Sequence, residues 1–159
     1  MTKIEFDVKM TKDIMYDYMM YHTFTMPQFY LTVAVGLMSC AVFFVNRNAM
    51  YIIIGLIVIG YLPVERYMQA ARQVIANPVF KEDLHYTLTD EGMALDVLEE
   101  HMDAKWDMVV KVRSTKKSLF LYTNGMSATI FPREALGEDY DEAVRIIRNG
   151  VPKERVRIR

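Results

Sequence analysis

The stretch "MPQFYLTVAVGLMSCAVFFVNRNAMYIIIGLIVIGYLPV", residues 26–64, decides the fold class of this 159-residue chain. Arg47 is its only charged residue, and the other charges lie in the two flanks. Residues 26–45 and 49–64 are predicted to form two helices joined by "NRN". A helix of 20 residues spans about 30 Å, the thickness of the hydrocarbon layer, whereas 16 residues reach about 24 Å. The second helix is therefore expected to tilt or to continue past residue 64.

Neither apolar run has a charged face that water would solvate. The second run presents only apolar side chains, tyrosine and glycine around a helix. In the first run, the small residues Thr32, Gly36 and Cys40 recur every four positions, a spacing that lets membrane helices approach closely. Gly55 or Gly60 is expected to receive this face. The alternative is a hairpin buried in a soluble protein, which a chain this small would enclose only with difficulty.

Charge at the two ends of the hairpin predicts its orientation. A three-residue connection requires antiparallel helices, so both flanks lie on the same side of a membrane. Five cations surround the base of the hairpin: Lys9, Lys12, Arg66, Arg72 and Lys81. Arg47 stands alone at the tip. Because loops rich in Lys and Arg remain on the cytoplasmic side of a membrane, the chain is predicted to be a multi-pass membrane protein with both termini in the cytoplasm.

Three segments are predicted along the chain. Residues 1–25 form an N-terminal strand and an amphipathic helix, and residues 26–77 form the transmembrane hairpin, whose second helix extends into the cytoplasm. Residues 78–159 form a domain of short antiparallel strands with a helix at 138–149 and a basic tail. In that domain "KWDMVVKVRS" is predicted to be one strand, "EHMD" a polar turn, and Asn124-Gly125 a type I′ turn.

Three short segments follow the hairpin: the Trp106-Asp107 pair with "MVVK" after it, "FLY" (120–122) and "IFPREAL" (130–136). In these segments and in the order of its elements, the chain resembles the bacterial YcxB-like family of small membrane proteins over essentially its whole length. The resemblance implies a location in the bacterial cell membrane. It implies an α+β membrane protein, in which the hairpin carries a cytoplasmic pleckstrin-homology-like β-barrel or sandwich closed by a C-terminal helix. The residues expected in the core of that domain are Trp106, Val110, Phe120, Tyr122 and Ile130. The family implies no catalytic residues.

The residues themselves carry no recognised catalytic or cofactor motif. The phosphate-loop, dinucleotide, nucleophile-elbow and zinc-protease patterns do not occur in the sequence. The three histidines lack metal-ligand spacing, and the methionines near the N-terminus are interpreted as packing residues. No metal, cofactor or nucleic acid is therefore expected. The acidic loop "DEG" (90–92) disfavours phosphoinositide binding.

The basic tail has two interpretations. Its four cations, Lys153, Arg155, Arg157 and Arg159, would contact anionic lipid at the cytoplasmic surface. Alternatively, the tail is a disordered end, or an edge strand with Val156 and Ile158 facing inward.

We expect a non-enzymatic protein that is anchored by the hairpin and binds a protein partner or itself. A small membrane enzyme or transport subunit is the alternative, with His22, Glu65 or Arg66 as the polar residue at the membrane face. A third hypothesis is an oligomer whose hairpins associate through the Gly36 face.

Overall fold

A computed structural model gives the fold, and it describes residues 3–124 and 127–158. The described residues form five α-helices: α1 Lys12–Thr25, α2 Pro27–Asn46, α3 Met50–Ala76, α4 Arg133–Leu136 and α5 Tyr140–Gly150. The same residues form eight strands: β1 Lys3–Lys9, β2 Asp83–Thr89, β3 Gly92–Val97, β4 Glu100–Lys105, β5 Lys111–Ser114, β6 Ser118–Tyr122, β7 Ala128–Pro132 and β8 Val156–Arg157. The chain is thus α+β, with two long apolar helices. The predicted turn at Asn124-Gly125 lies partly outside the described residues.

The strands form two separate four-stranded sheets. Sheet 1 has the order β1-β2-β3-β4 and is antiparallel throughout. Sheet 2 has the order β7-β6-β5-β8, in which only β8 runs parallel to its neighbour. Over the described residues no ladder joins the two sheets, so a closed barrel is not formed. The first strand, from before the hairpin, is an integral part of sheet 1.

The sheets pack against each other through aromatic side chains. The ring centroids of Phe6 and Phe131 are 5.2 Å apart, and those of Tyr86 and Phe131 are 4.9 Å apart. Strand β1 alternates strictly between exposed and buried residues, as its period-2 sequence predicts. Helix α5 adds Ala143, Ile146 and Ile147 to the same core.

The ends of the helices follow from local sequence. The Thr11 side chain accepts a hydrogen bond from the Ile14 N–H and caps α1. Helix α1 ends at Met26, whose backbone is extended because Pro27 follows. Pro27 then occupies the first turn of α2, where its missing N–H costs nothing. Asn77 ends α3 before Pro78 in the same way, which confirms the predicted stop.

Helices α2 and α3 form a tight hairpin, and α1 packs against the part of α3 that follows the apolar run. Arg47 adopts a left-handed conformation with φ 55° at the turn, and the Asn48 side chain accepts from the Met50 N–H. Both helices are long and apolar enough to cross a membrane, and only 6% of the most apolar 18-residue window of each is buried. A core helix of a soluble protein would be mostly buried.

The region between β3 and β5 differs from the sequence prediction. Residues 100–103, predicted to be a turn, lie in β4, and the turn falls at Leu98, whose φ is 55°. The predicted strand at residues 105–114 is interrupted by a 3-10 turn, Trp106–Met108, where the chain crosses from sheet 1 to sheet 2.

Candidate functional site

The feature most suggestive of function is the junction at which α1 joins the hairpin to sheet 2. All five residues of β6 are buried, because each face of this strand is covered. Leu119 pairs with Phe131 and faces sheet 1, so the alternate residues Phe120 and Tyr122 face the other side. Helix α1 covers that outer side.

Aromatic rings make up most of this junction. Tyr18 and Tyr21 lie 5.4 Å and 5.3 Å from Phe120, measured between ring centroids. The Tyr122 hydroxyl and His22 Nε2 are 3.0 Å apart and form a hydrogen bond. The Lys111 ammonium lies 5.0 Å from the centroid of the Tyr122 ring. Such pairs are favourable beyond the area that they bury.

The electrostatics of the junction favour neutral partners. Burial, with a smaller contribution from the Lys111 charge, lowers the pKa of His22. Burial also raises the pKa of Tyr122, and the neighbouring Tyr18 and Tyr21 add to that rise. The pKa of Lys111 is lowered by burial and by the charges of Arg113 and Arg157. At neutral pH the imidazole and phenol are therefore a neutral hydrogen-bonded pair, which suits a structural contact better than proton transfer.

Two further contacts fix α1 between the hairpin and the sheet. The Thr115 hydroxyl donates to an Asp17 carboxylate oxygen at 2.6 Å, beyond the end of β5. On the other side of α1, the rings of Tyr16 and Tyr67 are 5.6 Å apart, and Lys12 lies over the Tyr67 ring. Helix α1 thus links the second hairpin helix to sheet 2.

The predicted helix-packing residues occupy different positions in the hairpin. Gly36 and Gly55 are buried and face each other, and a Cβ built on Gly36 would lie 3.0 Å from the Gly55 carbonyl oxygen. Cys40 contacts the Gly55 position. Thr32 lies near the base, where its hydroxyl donates to the Gln28 carbonyl. At Gly60 no described atom lies within 4 Å of a built Cβ, so Gly55 is the glycine that receives the small-residue face.

The predicted core residues are buried with one exception. Trp106, Phe120, Tyr122 and Ile130 are each at most 4% exposed. The prediction of Val110 as a core residue is wrong: Val110 is 47% exposed, and its neighbour Val109 is fully buried. The 3-10 turn at Trp106–Met108 shifts the alternation by one residue, because a continuous strand would place Trp106 and Val110 on one face.

The family model described as YcxB-like protein matches residues 88–147. This match supports membership of the chain in the YcxB-like family. No curated protein and no solved structure matches the chain. The matched YcxB-like segment begins in β2 and ends in α5, and it contains Tyr122 and Lys111 from the junction.

The basic tail that follows the YcxB-like segment is an ordered edge of sheet 2. Val156 pairs with Val112 in the parallel β8–β5 ladder, and Val156 and Ile158 pack against the core. The Arg155 guanidinium donates to the Val109 carbonyl at 3.2 Å, and Arg113 donates to the Arg155 carbonyl. Lys153 and Arg157 are exposed, whereas Arg159 lies outside the described residues. The edge-strand interpretation thus describes the fold of the tail.

The polar residues considered for membrane-face chemistry do not form one cluster. Glu65 and Arg66 are neighbours with a 3.4 Å contact, and Arg66 donates to Gln69. Among the described residues no hydrogen bond or ion pair joins His22 to either of them.

The sequence did not reveal a row of alternating carboxylates and imidazoles across sheet 1. The ladder registers place Asp7, His85, Asp96 and His101 opposite one another on β1 to β4. His85 contacts Asp7 at 2.7 Å, and His101 contacts both Asp96 and Asp103. These carboxylates, Asp96 first, raise the pKa of His101. Within the described residues no group of three or more His, Cys, Asp or Glu side chains is arranged to hold a metal ion.

Proposed function

We propose that this chain is a two-span bacterial membrane protein that presents a pleckstrin-like domain at the cytoplasmic face for binding to a protein partner or to itself. The single observation that carries the proposal is the contrast between the two parts of the chain. The sheets bury an apolar core of aliphatic and aromatic side chains, whereas the hairpin leaves large apolar side chains exposed on most of its surface.

The exposed apolar side chains support the membrane anchor. They include Leu31, Leu37, Phe44 and Val45 on α2 and Leu56, Ile57, Tyr61 and Val64 on α3. Soluble monomers rarely expose contiguous apolar surface of this extent. The charge difference between the base and the tip supports a cytoplasmic location of the termini.

The arrangement of the water-side domain supports the pleckstrin-like assignment. Two antiparallel-rich sheets pack face to face, and an amphipathic helix, α5, packs its apolar side onto their core. The β2–β3 loop carries Asp90 and Glu91, so an acidic surface replaces the basic loop that phosphoinositide recognition requires.

Strand β4 is the most suitable surface for a protein partner. It lies at one edge of sheet 1, and all of its residues except Ala104 are exposed. Met102 leaves an apolar side chain in water at this edge. An unpaired edge offers backbone N–H and C=O groups to an added strand. Native edges usually carry protective charges, and β4 carries Glu100, Asp103 and Lys105, so a partner strand must bring charges that complement them. A partner with an extended segment would pair with β4.

A non-enzymatic role fits the state of the junction. His22 and Tyr122 bond to each other in a part-buried contact, and their pKa directions keep both neutral. The junction thus suits a structural link that holds α1 between the domain and the hairpin.

Site-specific photo-cross-linking in native membranes tests the binding role. A photoreactive residue at Met102 is expected to give a discrete adduct, and the same residue at the exposed Lys116 is expected to give none. Replacing exposed His101 with Pro should remove the adduct at Met102 without releasing the protein from the membrane, because the His101 N–H points away from β3 in this two-residue hairpin. Equal cross-linking at both positions would contradict an edge-strand interface.

A further inference from the structure

A polar groove lies on the side of sheet 2 where α1 begins. It has a volume of about 800 Å³ and is bordered by the end of β1, the first turn of α1, the start of β6, and the passage from β7 into α4. Three cations line it: Lys9, Lys117 and Arg133. This groove is separate from the His22–Tyr122 contact and from the β4 edge.

Ser118 is the residue that most clearly indicates a ligand. Its side chain is 2% exposed and lines the groove. Its hydroxyl has no hydrogen-bond partner within the described part of the chain. Ser118 has the same strand parity as Phe120 and Tyr122, whose side chains contact α1, so its hydroxyl faces the side on which α1 begins. A buried hydroxyl without a partner is unfavourable unless a ligand supplies one.

The backbone places the three residues side by side at the end of the β6–β7 hairpin. The Arg133 N–H donates to the Lys117 carbonyl at 2.7 Å, and Ser118 pairs with Pro132 in the β6–β7 register. Lys117 and Arg133 lie just outside the two strands, so strand alternation does not direct their side chains, and all three residues line the same groove. The turn before β6 is fixed by the Thr115 hydroxyl, which accepts from the Lys117 and Ser118 N–H groups.

The charge of the groove is suited to an anion. None of the three cations forms an ion pair among the described residues. The Arg133 guanidinium carbon lies 4.1 Å from the centroid of the Tyr140 ring, and this cation–π contact does not neutralise its charge. The N-terminal turn of α1, a helix of 14 residues, adds partial positive charge. Asp13 and Glu134 also line the groove, so the anion must lie toward Lys117, Ser118 and Arg133.

We infer that this groove binds a phosphate group, held by the Ser118 hydroxyl and by the Lys117 and Arg133 side chains. A phosphate offers several strong acceptor oxygens, and both an ammonium and a guanidinium bind it through charge-assisted hydrogen bonds. The groove lies at the first turn of α1, the end of the helix that is farther from the hairpin. At about 1.5 Å per residue, that turn is about 20 Å from Met26, where the hairpin begins. This separation favours a soluble phosphate compound over a lipid headgroup.

Calorimetric titration of the full-length protein in phosphatidylcholine nanodiscs with inorganic phosphate tests this inference, with chloride keeping the ionic strength constant. Wild type is expected to bind phosphate, and Lys117→Gln, Arg133→Gln and Ser118→Ala are each expected to weaken binding about tenfold. Lys116→Gln is the matched control, because Lys116 is the exposed neighbour of Lys117 and does not line the groove. It should bind as wild type does.

A second arm distinguishes the source of the phosphate. In this arm, vesicles that contain phosphatidic acid replace the soluble ion. Flotation measures how much of each variant, held in nanodiscs, rises with these vesicles and how much rises with vesicles that lack this lipid. If wild type binds soluble phosphate and Ser118→Ala and Lys117→Gln bind it more weakly, the ligand is a soluble phosphate compound. If these two variants differ from wild type only in binding to phosphatidic acid vesicles, the ligand is a lipid headgroup. Ser118→Ala also separates binding from folding, since removal of an unpaired buried hydroxyl should leave the melting temperature unchanged or higher. An absence of binding in both arms, or equal losses in Lys116→Gln and Lys117→Gln, would overturn the inference.

Discussion

Replacing Gly55 with Ala should loosen the helical hairpin. The new Cβ would lie 2.6 Å from the Gly36 carbonyl oxygen and would also overlap the Cys40 sulfur. One of these neighbours is backbone, so a change of rotamer cannot relieve the overlap. The helices must separate, or one must rotate.

The loss of hairpin stability in Gly55→Ala can be estimated from the distance between the new Cβ and the Gly36 carbonyl oxygen. Ordinary van der Waals contact begins near 3.4 Å, so the helices must move apart by about 0.8 Å locally. A gap of that size forfeits a quarter to a half of the attraction between the atoms that face each other. Overpacking of this kind costs about 1–3 kcal/mol. Alanine also improves helix propensity over glycine by up to about 1 kcal/mol, which partly offsets the cost.

Gly60→Ala is the matched control, because it has the same gain in propensity and no described atom within 4 Å of the new Cβ. The single cysteine, Cys40, lies in the interface and supplies the assay. Maleimide labelling of Cys40 during SDS titration of detergent-solubilised protein reports the opening of the hairpin. Gly55→Ala should open at a lower SDS fraction than Gly60→Ala, with a difference of about 1–3 kcal/mol. Identical opening of the two variants would refute the packing argument.

Three other predictions concern the domain and its junction with α1. Val109→Ala should lower the free energy of unfolding by about 2 kcal/mol, whereas Val110→Ala should stay within about 0.5 kcal/mol of wild type in denaturant titrations; equal effects would contradict the shifted alternation. Gly150→Ala places a Cβ into the Trp106 ring, so it should shift the tryptophan emission spectrum and destabilise the domain by about 1–3 kcal/mol; an unchanged spectrum would show that the ring is not packed there. Because burial lowers the pKa of His22 below its ordinary value of 6.5, its contribution to stability is present above pH 6.5 and lost as the pH falls through the folded pKa. Melting curves of His22→Gln should therefore lose part of the acid sensitivity seen in wild type, and identical pH profiles would remove His22 as its source.

Sequence periodicity was sufficient to predict the elements in which each face has the same surroundings from end to end. The two apolar helices show no polar face, so their existence and the "NRN" turn could be predicted with ends within a few residues. Strand β1 was predictable for the same reason, since its alternation is unbroken.

The errors fall where the chain changes sheets. The segment "KWDMVVKVRS" has a strand-like composition, but the 3-10 turn inside it sends its two halves to different sheets and exposes Val110 instead of Val109. The local sequence pattern cannot show this crossover, because the parts before and after the turn both have apolar residues at the spacing of a strand. The charges of the "EHMD" segment predict a turn, yet β4 tolerates these charges because it is an exposed edge strand.

The junction and the groove could not be predicted from local sequence. His22 and Tyr122 are 100 residues apart, and Asp17 and Thr115 are 98 apart. Ser118 appeared as an ordinary polar residue at the start of a strand, and only its burial without a partner distinguishes it. Tertiary packing determines these contacts, and the sequence supplies only residues that are compatible with it.

The topology of the hairpin is the most direct test of the proposed membrane anchor. In a Cys40→Ala background, Arg47→Cys places a thiol at the tip and Lys116→Cys places one on the exposed surface of the domain. A membrane-impermeant maleimide applied to intact cells should label Arg47→Cys, and should label Lys116→Cys only after permeabilisation. Labelling of Lys116→Cys in intact cells, or of both positions only after permeabilisation, would contradict a two-span anchor with a cytoplasmic domain.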